Sequence, residues 1–159
     1  MFDFVELDLP PIPARISKRN GKYFIFDVLR KKNVVLTPEE WVRQHWVHYL
    51  SENKGYPRSL MQIEGGMQLN SLLKRSDLLI YNVEGEKILL AEFKAPHIKI
   101  TQKVFEQISN YNSVQKVPLL LVSNGLTHIY SKIDFDKKES VFLENLPPAD
   151  FVTESREKS

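Results

Sequence analysis

Residues 117–122 (VPLLLV) contain no polar position. A strand has two faces, so a run with no polar face must be covered on both sides, which excludes an open sheet wetted on one side. Residues 87–95 (KILLAEFKA) are similarly apolar, apart from their charged positions. Two stretches with helical spacing supply the cover. Residues 41–53 place Trp41, Val42, His45, Trp46, Tyr49 and Leu50 on one wide stripe, and residues 101–115 do the same with Val104, Phe105, Ile108 and Tyr111. The expected class is α/β: a mixed central sheet flanked by helices.

The rest of the chain fits one domain. Its 159 residues include 9 Phe, 6 Tyr and 2 Trp, enough to build a core. The absence of Cys excludes a disulfide framework and a thiolate zinc site. The net charge of +2 argues against nucleic-acid binding by the whole surface, but leaves a local basic patch open. The opening residues lack an apolar leader and no run approaches a membrane span, so a cytoplasmic protein without a membrane partner is expected.

Residues 1–21, with Pro10, Pro11 and Pro13, are expected to form an extended arm held down by Phe2, Phe4 and Ile12. The domain proper then covers 22–148, and 149–159 form a flexible tail. Residues 22–29 and 33–36 are expected strands around the basic turn Arg30-Lys31-Lys32. Thr37-Pro38-Glu39-Glu40 has the pattern of a capping box opening the first helix, which stops at Gly55. Further strands are expected at 61–70, with an irregularity at Gly65-Gly66, and at 77–83, 87–95, 128–135 and 140–146.

The chemistry concentrates in one predicted hairpin. Glu92 and Lys94 stand two apart in a buried-type strand and leave the same face. If Glu84-Gly85 form the turn, counting outwards sets Asp77 opposite Glu92; a turn slipped by one residue sets it opposite Lys94, on the same face. Opposed residues have Cβ atoms about 5 Å apart, so two carboxylates there repel and raise each other's pKa unless a cation intervenes. A hard divalent cation, Mg²⁺ or Mn²⁺, would neutralise both. An ammonium beside metal-bound water suits phosphodiester hydrolysis. A cross-strand ion pair of Asp77 with Lys94, beside a solvated Glu92, is the structural alternative. Glu52-Asn53-Lys54, the same spacing at a polar helix end, is solvated decoration.

Around these residues the sequence resembles the PD-(D/E)xK nuclease superfamily, and more narrowly the N-terminal domain of type I restriction enzyme R subunits in a compact single-domain bacterial form. LTPEEWVRQHWVHYL, KGYPRSLMQIE, KRSDLLIY, LLAEFKAP, QISNYN and LLLVSNGLTHIY carry the likeness across most of residues 22–145. Ser76 departs from the superfamily's usual Pro. The resemblance implies a restriction-endonuclease-like core and metal-dependent DNA cleavage. It implies Asp77 and Glu92 as metal ligands with the Phe93 carbonyl, Lys94 as the catalytic lysine, and Gln107 and Tyr111 beside the site. Glu40 corresponds to an acidic residue near the metal waters, although the capping box explains it equally.

Arg43, Lys74, Arg75, Lys99 and Lys103 flank the site in sequence and could form a basic rim for DNA phosphates, or simply be solvated. His45 and His48 have no further ligand nearby in sequence, so packing is the expectation for them. The chain carries no G-x-x-x-x-G-K-[ST] loop, so an ATP motor would have to belong to a separate restriction-modification or helicase subunit. A double-strand cut would call for two copies, hence a possible homodimer. The alternative functions are a non-catalytic DNA-binding or assembly module that keeps the fold, and a structural domain in which Asp77, Glu92 and Lys94 form a charge network.

Overall fold

In the computed structural model, residues 2–63 and 77–149 are described. Three strands, β1 (Ile16–Arg19), β2 (Lys22–Asp27) and β3 (Lys32–Val35), form an antiparallel sheet. Helix α1 (Pro38–Glu52) and a 3₁₀ turn at Arg58–Leu60 follow. Then come β4 (Met61–Ile63), β5 (Leu78–Tyr81), β6 (Lys87–Phe93), α2 (Gln102–Gln115), β7 (Leu119–Ser123), β8 (His128–Asp134) and β9 (Glu139–Leu143). These last six strands make one sheet in sequence order, antiparallel throughout except for β6 beside β7. A parallel pair needs a crossover, and α2 provides it.

Strand alternation divides the apolar residues into two cores. Leu78, Ile80, Leu89, Ala91, Phe93, Leu119 and Leu121 face α1 and meet Val42, Trp46, Val47 and Leu50. Leu79, Leu90, Leu120 and Val122 face α2 and pack with Ile108, Val104, Phe105 and Tyr111. The unbroken apolar run in β7 is thus buried on both faces, as its composition requires.

The expected arm ends earlier than its prolines imply. Residues 16–19 pair with β2 across Asn20-Gly21, whose φ angles of 52° and 78° are the two left-handed positions of a type I′ hairpin turn. The remainder is held as expected by Phe2 and Phe4, whose rings lie 6.2 Å and 5.5 Å from that of Trp41. It is also held by Leu7, buried beside Gly125, and by the Asp8 N–H donated to the Gly125 carbonyl. The strand expected at 61–70 is described only to Ile63; residues 64–70, with Gly65-Gly66, lie outside the described residues. Among the described residues, no helix is long and apolar enough to cross a membrane.

Candidate active site

The hairpin reaches the expected register by an unexpected route. Asn82 and Glu86 close a three-residue loop, the Asn82 side chain accepting from the Glu84 and Glu86 N–H groups. Tyr81 therefore pairs with Lys87, but Ile80 pairs with Leu89, leaving Ile88 as a one-residue bulge. Loop and bulge offset each other. Leu78 opposes Ala91, and the Asp77 N–H donates to the Ala91 carbonyl, so Asp77 ends the hairpin close enough for its charge to act on Glu92.

The two carboxylates have different surroundings. One oxygen of Asp77 accepts the Phe93 N–H at 2.7 Å and the other accepts Nη2 of Arg43 at 3.0 Å. Glu92 has Lys94 as its cationic partner, with Nζ 3.6 Å from Oε1. Burial pushes the Glu92 carboxyl up to about 7, and the Asp77 charge pushes in the same direction; Lys94 pulls it back only in part. The Phe93 ring lies on the opposite face, stacked on Trp46 at 6.3 Å, and so anchors the backbone between Glu92 and Lys94. Both side chains retain access to solvent, at 20% for Glu92 and 31% for Lys94.

These residues stand at the carboxyl ends of the parallel pair, where ligands of open α/β sheets bind. The Lys94 N–H donates to the Ser123 carbonyl, and Asn124 Nδ2 donates to the Ile98 carbonyl at 2.8 Å, tying the loop after β6 to the end of β7. Lys99 in that loop and Lys103 in the first turn of α2 are exposed. Gln107 is exposed and Tyr111 half-buried on α2, the helix that covers the sheet face from which Glu92 and Lys94 emerge. Lys74 and Arg75 lie outside the described residues.

Arg43 and Glu40 occupy places that spacing alone does not give. Thr37 caps the Glu40 N–H at 3.1 Å, which is half of the expected box. The Glu40 side chain instead accepts from Arg30 at 2.6 Å, Arg43 at 2.8 Å and Gln44 at 3.2 Å. Arg43, placed on the expected basic rim, is a largely enclosed bridge from Glu40 to Asp77, its side chain 14% exposed. Burial works against its charge, but Glu40 and Asp77 outweigh this and raise its pKa. Arg30 continues the chain to Asp27, whose pKa it lowers against the cost of burial. Asp27 and Arg30 were missed as part of this network; their only signal is an i,i+3 acid–base pair at a strand end.

The histidines follow the packing expectation. His45 Nδ1 lies 2.8 Å from the Trp41 carbonyl, and burial lowers its pKa. His48 lies between Glu52 and Arg58. Among the described residues, no group of three His, Cys, Asp or Glu side chains gathers to hold a metal.

A mixed sheet with a parallel central pair, covered by helices and carrying a carboxylate pair with a lysine at the strand ends, defines a restriction-endonuclease-like fold. The chain belongs to the family described as "Type I restriction enzyme R protein N terminus (HSDR_N)", whose model matches residues 38–147. A solved fragment described as an HsdR subunit of a type I restriction enzyme from Vibrio vulnificus YJ016 is similar, at 18% identity and a TM-score of 0.50. The match covers 75% of this chain and 25% of that one, so this chain spans about a quarter of that relative's length. A comparison with curated proteins finds no significant match.

Proposed function

We propose that this domain hydrolyses DNA phosphodiester bonds with Mg²⁺ or Mn²⁺, as a member of the PD-(D/E)xK superfamily. The observation that carries the proposal is the gathering of Asp77, Glu92 and Lys94 at the open end of a buried strand, with Lys94 3.6 Å from Glu92. Asp77, Glu92 and the Phe93 carbonyl form a hard oxygen donor set that suits such an ion. The Glu92 carboxyl fits it too, because a divalent charge there would relieve the strain that burial and Asp77 impose. When bound, the ion supplies Lewis acidity to water and to the phosphate.

The chain's own groups do the remaining work. Phe93 N–H and Arg43 fix the Asp77 carboxylate, so its orientation is set before substrate arrives. Lys94 carries a positive charge beside Glu92, where it can orient the attacking water and meet charge developing on phosphate oxygen. Gln107 and Tyr111 would steady substrate or Lys94 from α2, and Lys99 and Lys103, with Lys74 and Arg75, would hold the backbone phosphates. Separate restriction-modification or helicase subunits, and a second copy of this chain, are the partners this reading implies.

Plasmid cleavage with Mg²⁺ or Mn²⁺, wild type beside Lys94→Ala, tests it. Phosphodiester hydrolysis needs acceleration of up to about 10¹⁷-fold, so losing Lys94 should abolish cutting while the fold persists. Equal cutting by both proteins would reject the assignment. One observation favours a second reading: both Asp77 oxygens already have protein donors, as in a structural network. A non-catalytic DNA-binding or assembly module would bind DNA without cutting it under any metal condition.

A further inference from the structure

The three-stranded sheet carries a surface separate from the carboxylate site. Between Arg15 and Lys32 the chain has seven Lys or Arg and one acid, Asp27, although its net charge is only +2. The register sorts these residues by face. Ser17 pairs with Phe24 and Phe24 with Val35, Phe26 pairs with Asn33, and Arg19 pairs with Lys22. Directly paired residues share a face, and the strand period of two places them all on one side with Arg15. The Arg15 guanidinium lies 4.9 Å from the centre of the Phe26 ring, as that sorting requires. Ile25 and Asp27, on the other side, are 1% and 0% exposed.

The outer face therefore holds three cations, two half-buried phenyl rings and no acid. Arg15, Arg19 and Lys22 are exposed. At the edge of this face, Arg15 and Phe26 also line a cleft of about 230 Å³ that Arg58, His48 and Glu52 share. Half-buried rings flanked by cations suit a strand whose bases can stack while its phosphates meet Arg and Lys. A duplex keeps its base faces stacked inside, out of reach of such rings. A membrane-docking face needs several apolar side chains that protrude, whereas both rings here lie half-buried and Val35 is the one exposed apolar residue on this face.

We propose that the outer face of β1–β3 binds single-stranded DNA. The choice of DNA over RNA rests on the proposed reading of the hairpin as a DNA-cutting site; the face itself does not. The test uses the full chain in EDTA, so no cleavage is needed, and follows the anisotropy of a labelled oligo-dT of about 20 nucleotides. Arg19→Glu with Lys22→Glu should weaken binding at least tenfold and lower the salt slope by about 1.4, the share of two phosphates on a single strand. Phe24→Leu, which keeps apolar bulk but removes the ring, should weaken oligo-dT by about fivefold or more and leave duplex binding unchanged.

The proposal is overturned if charge reversal leaves oligo-dT binding intact, if it weakens duplex binding as much as oligo-dT binding, or if oligo-U binds more tightly than oligo-dT. Sedimentation with phosphatidylserine vesicles, lost on charge reversal and without any oligo-dT binding, would assign the face to membranes and overturn it too. Failure of the nuclease reading would show separately, as no Mg²⁺-dependent cutting by the wild type.

Discussion

Glu92→Gln tests the electrostatics of the hairpin in isolation, because the amide keeps the volume and removes the charge. The Glu92 carboxyl stands at about 7 against an ordinary 4.5, from burial first and Asp77 second, with Lys94 opposing. A carboxyl whose folded pKa lies above its unfolded one binds its proton more tightly in the native state. It therefore costs stability as pH rises through the window from 4.5 to about 7, and the full penalty is present above that window. At 1.36 kcal/mol per unit, the penalty is about 3 kcal/mol. That shift is already net of the attraction of Lys94, so the expected gain is about 3 kcal/mol at pH near 8, or about 2–4 °C in Tm per kcal/mol for a domain of this size. Urea or thermal unfolding in EDTA reads it, at pH near 8 and again near 5. The variant should exceed wild type at the higher pH and lose that advantage at the lower, other titrations being common to both proteins. With Mn²⁺ in place of EDTA the order should reverse, since only the wild type gains by binding the ion. A variant less stable than wild type in EDTA at the higher pH, or an advantage independent of pH, would refute the account.

Two further changes probe what holds the site. Arg43→Ala leaves the Glu40 carboxylate on Arg30 and Gln44 and Asp77 on the Phe93 N–H alone, and should cost about 3 kcal/mol in urea unfolding. Arg43→Lys should recover only part of that, because one ammonium cannot reproduce a fork that reaches both carboxylates. Gly125→Ala places a Cβ 2.7 Å from Leu7 at a φ of +87°, so it should cost about 1–3 kcal/mol and expose residues 9–15 to limited proteolysis as the arm lifts.

What was legible in the sequence is what local chemistry fixes. Thr37 and Pro38 start α1 where their capping roles place them, and the apolar run of β7 is covered on both faces. The register of β5 against β6 was legible for a less direct reason. Centring the hairpin on Glu84-Gly85 ignores the odd loop closed by Asn82 and Glu86, and the bulge at Ile88 restores the register. Strand β1 was hidden because three prolines just upstream dominate the local reading, although Asn20-Gly21 is among the strongest short hairpin signals. The bridge from Arg43 to Asp77 spans 34 positions between separate elements. Nothing in spacing links them until α1 has packed on the sheet, and an arginine beside a nuclease-like motif invites assignment to the phosphate-binding rim.

That bridge makes the two carboxylates unequal, and the inequality bears on the proposed chemistry. Asp77 is held from both sides, by a backbone N–H and a guanidinium, so its orientation is set and its charge compensated. Glu92 lies half-buried with one lysine at 3.6 Å, and burial with the Asp77 charge pushes its carboxyl up to about 7. A cation entering between them would find one ligand already placed and would deliver most of its stabilisation to the other. Preorganisation thus resides in Asp77 and the binding drive in Glu92. Removing Asp77 should therefore loosen the geometry of the site, whereas neutralising Glu92 should remove the reason for a cation to stay.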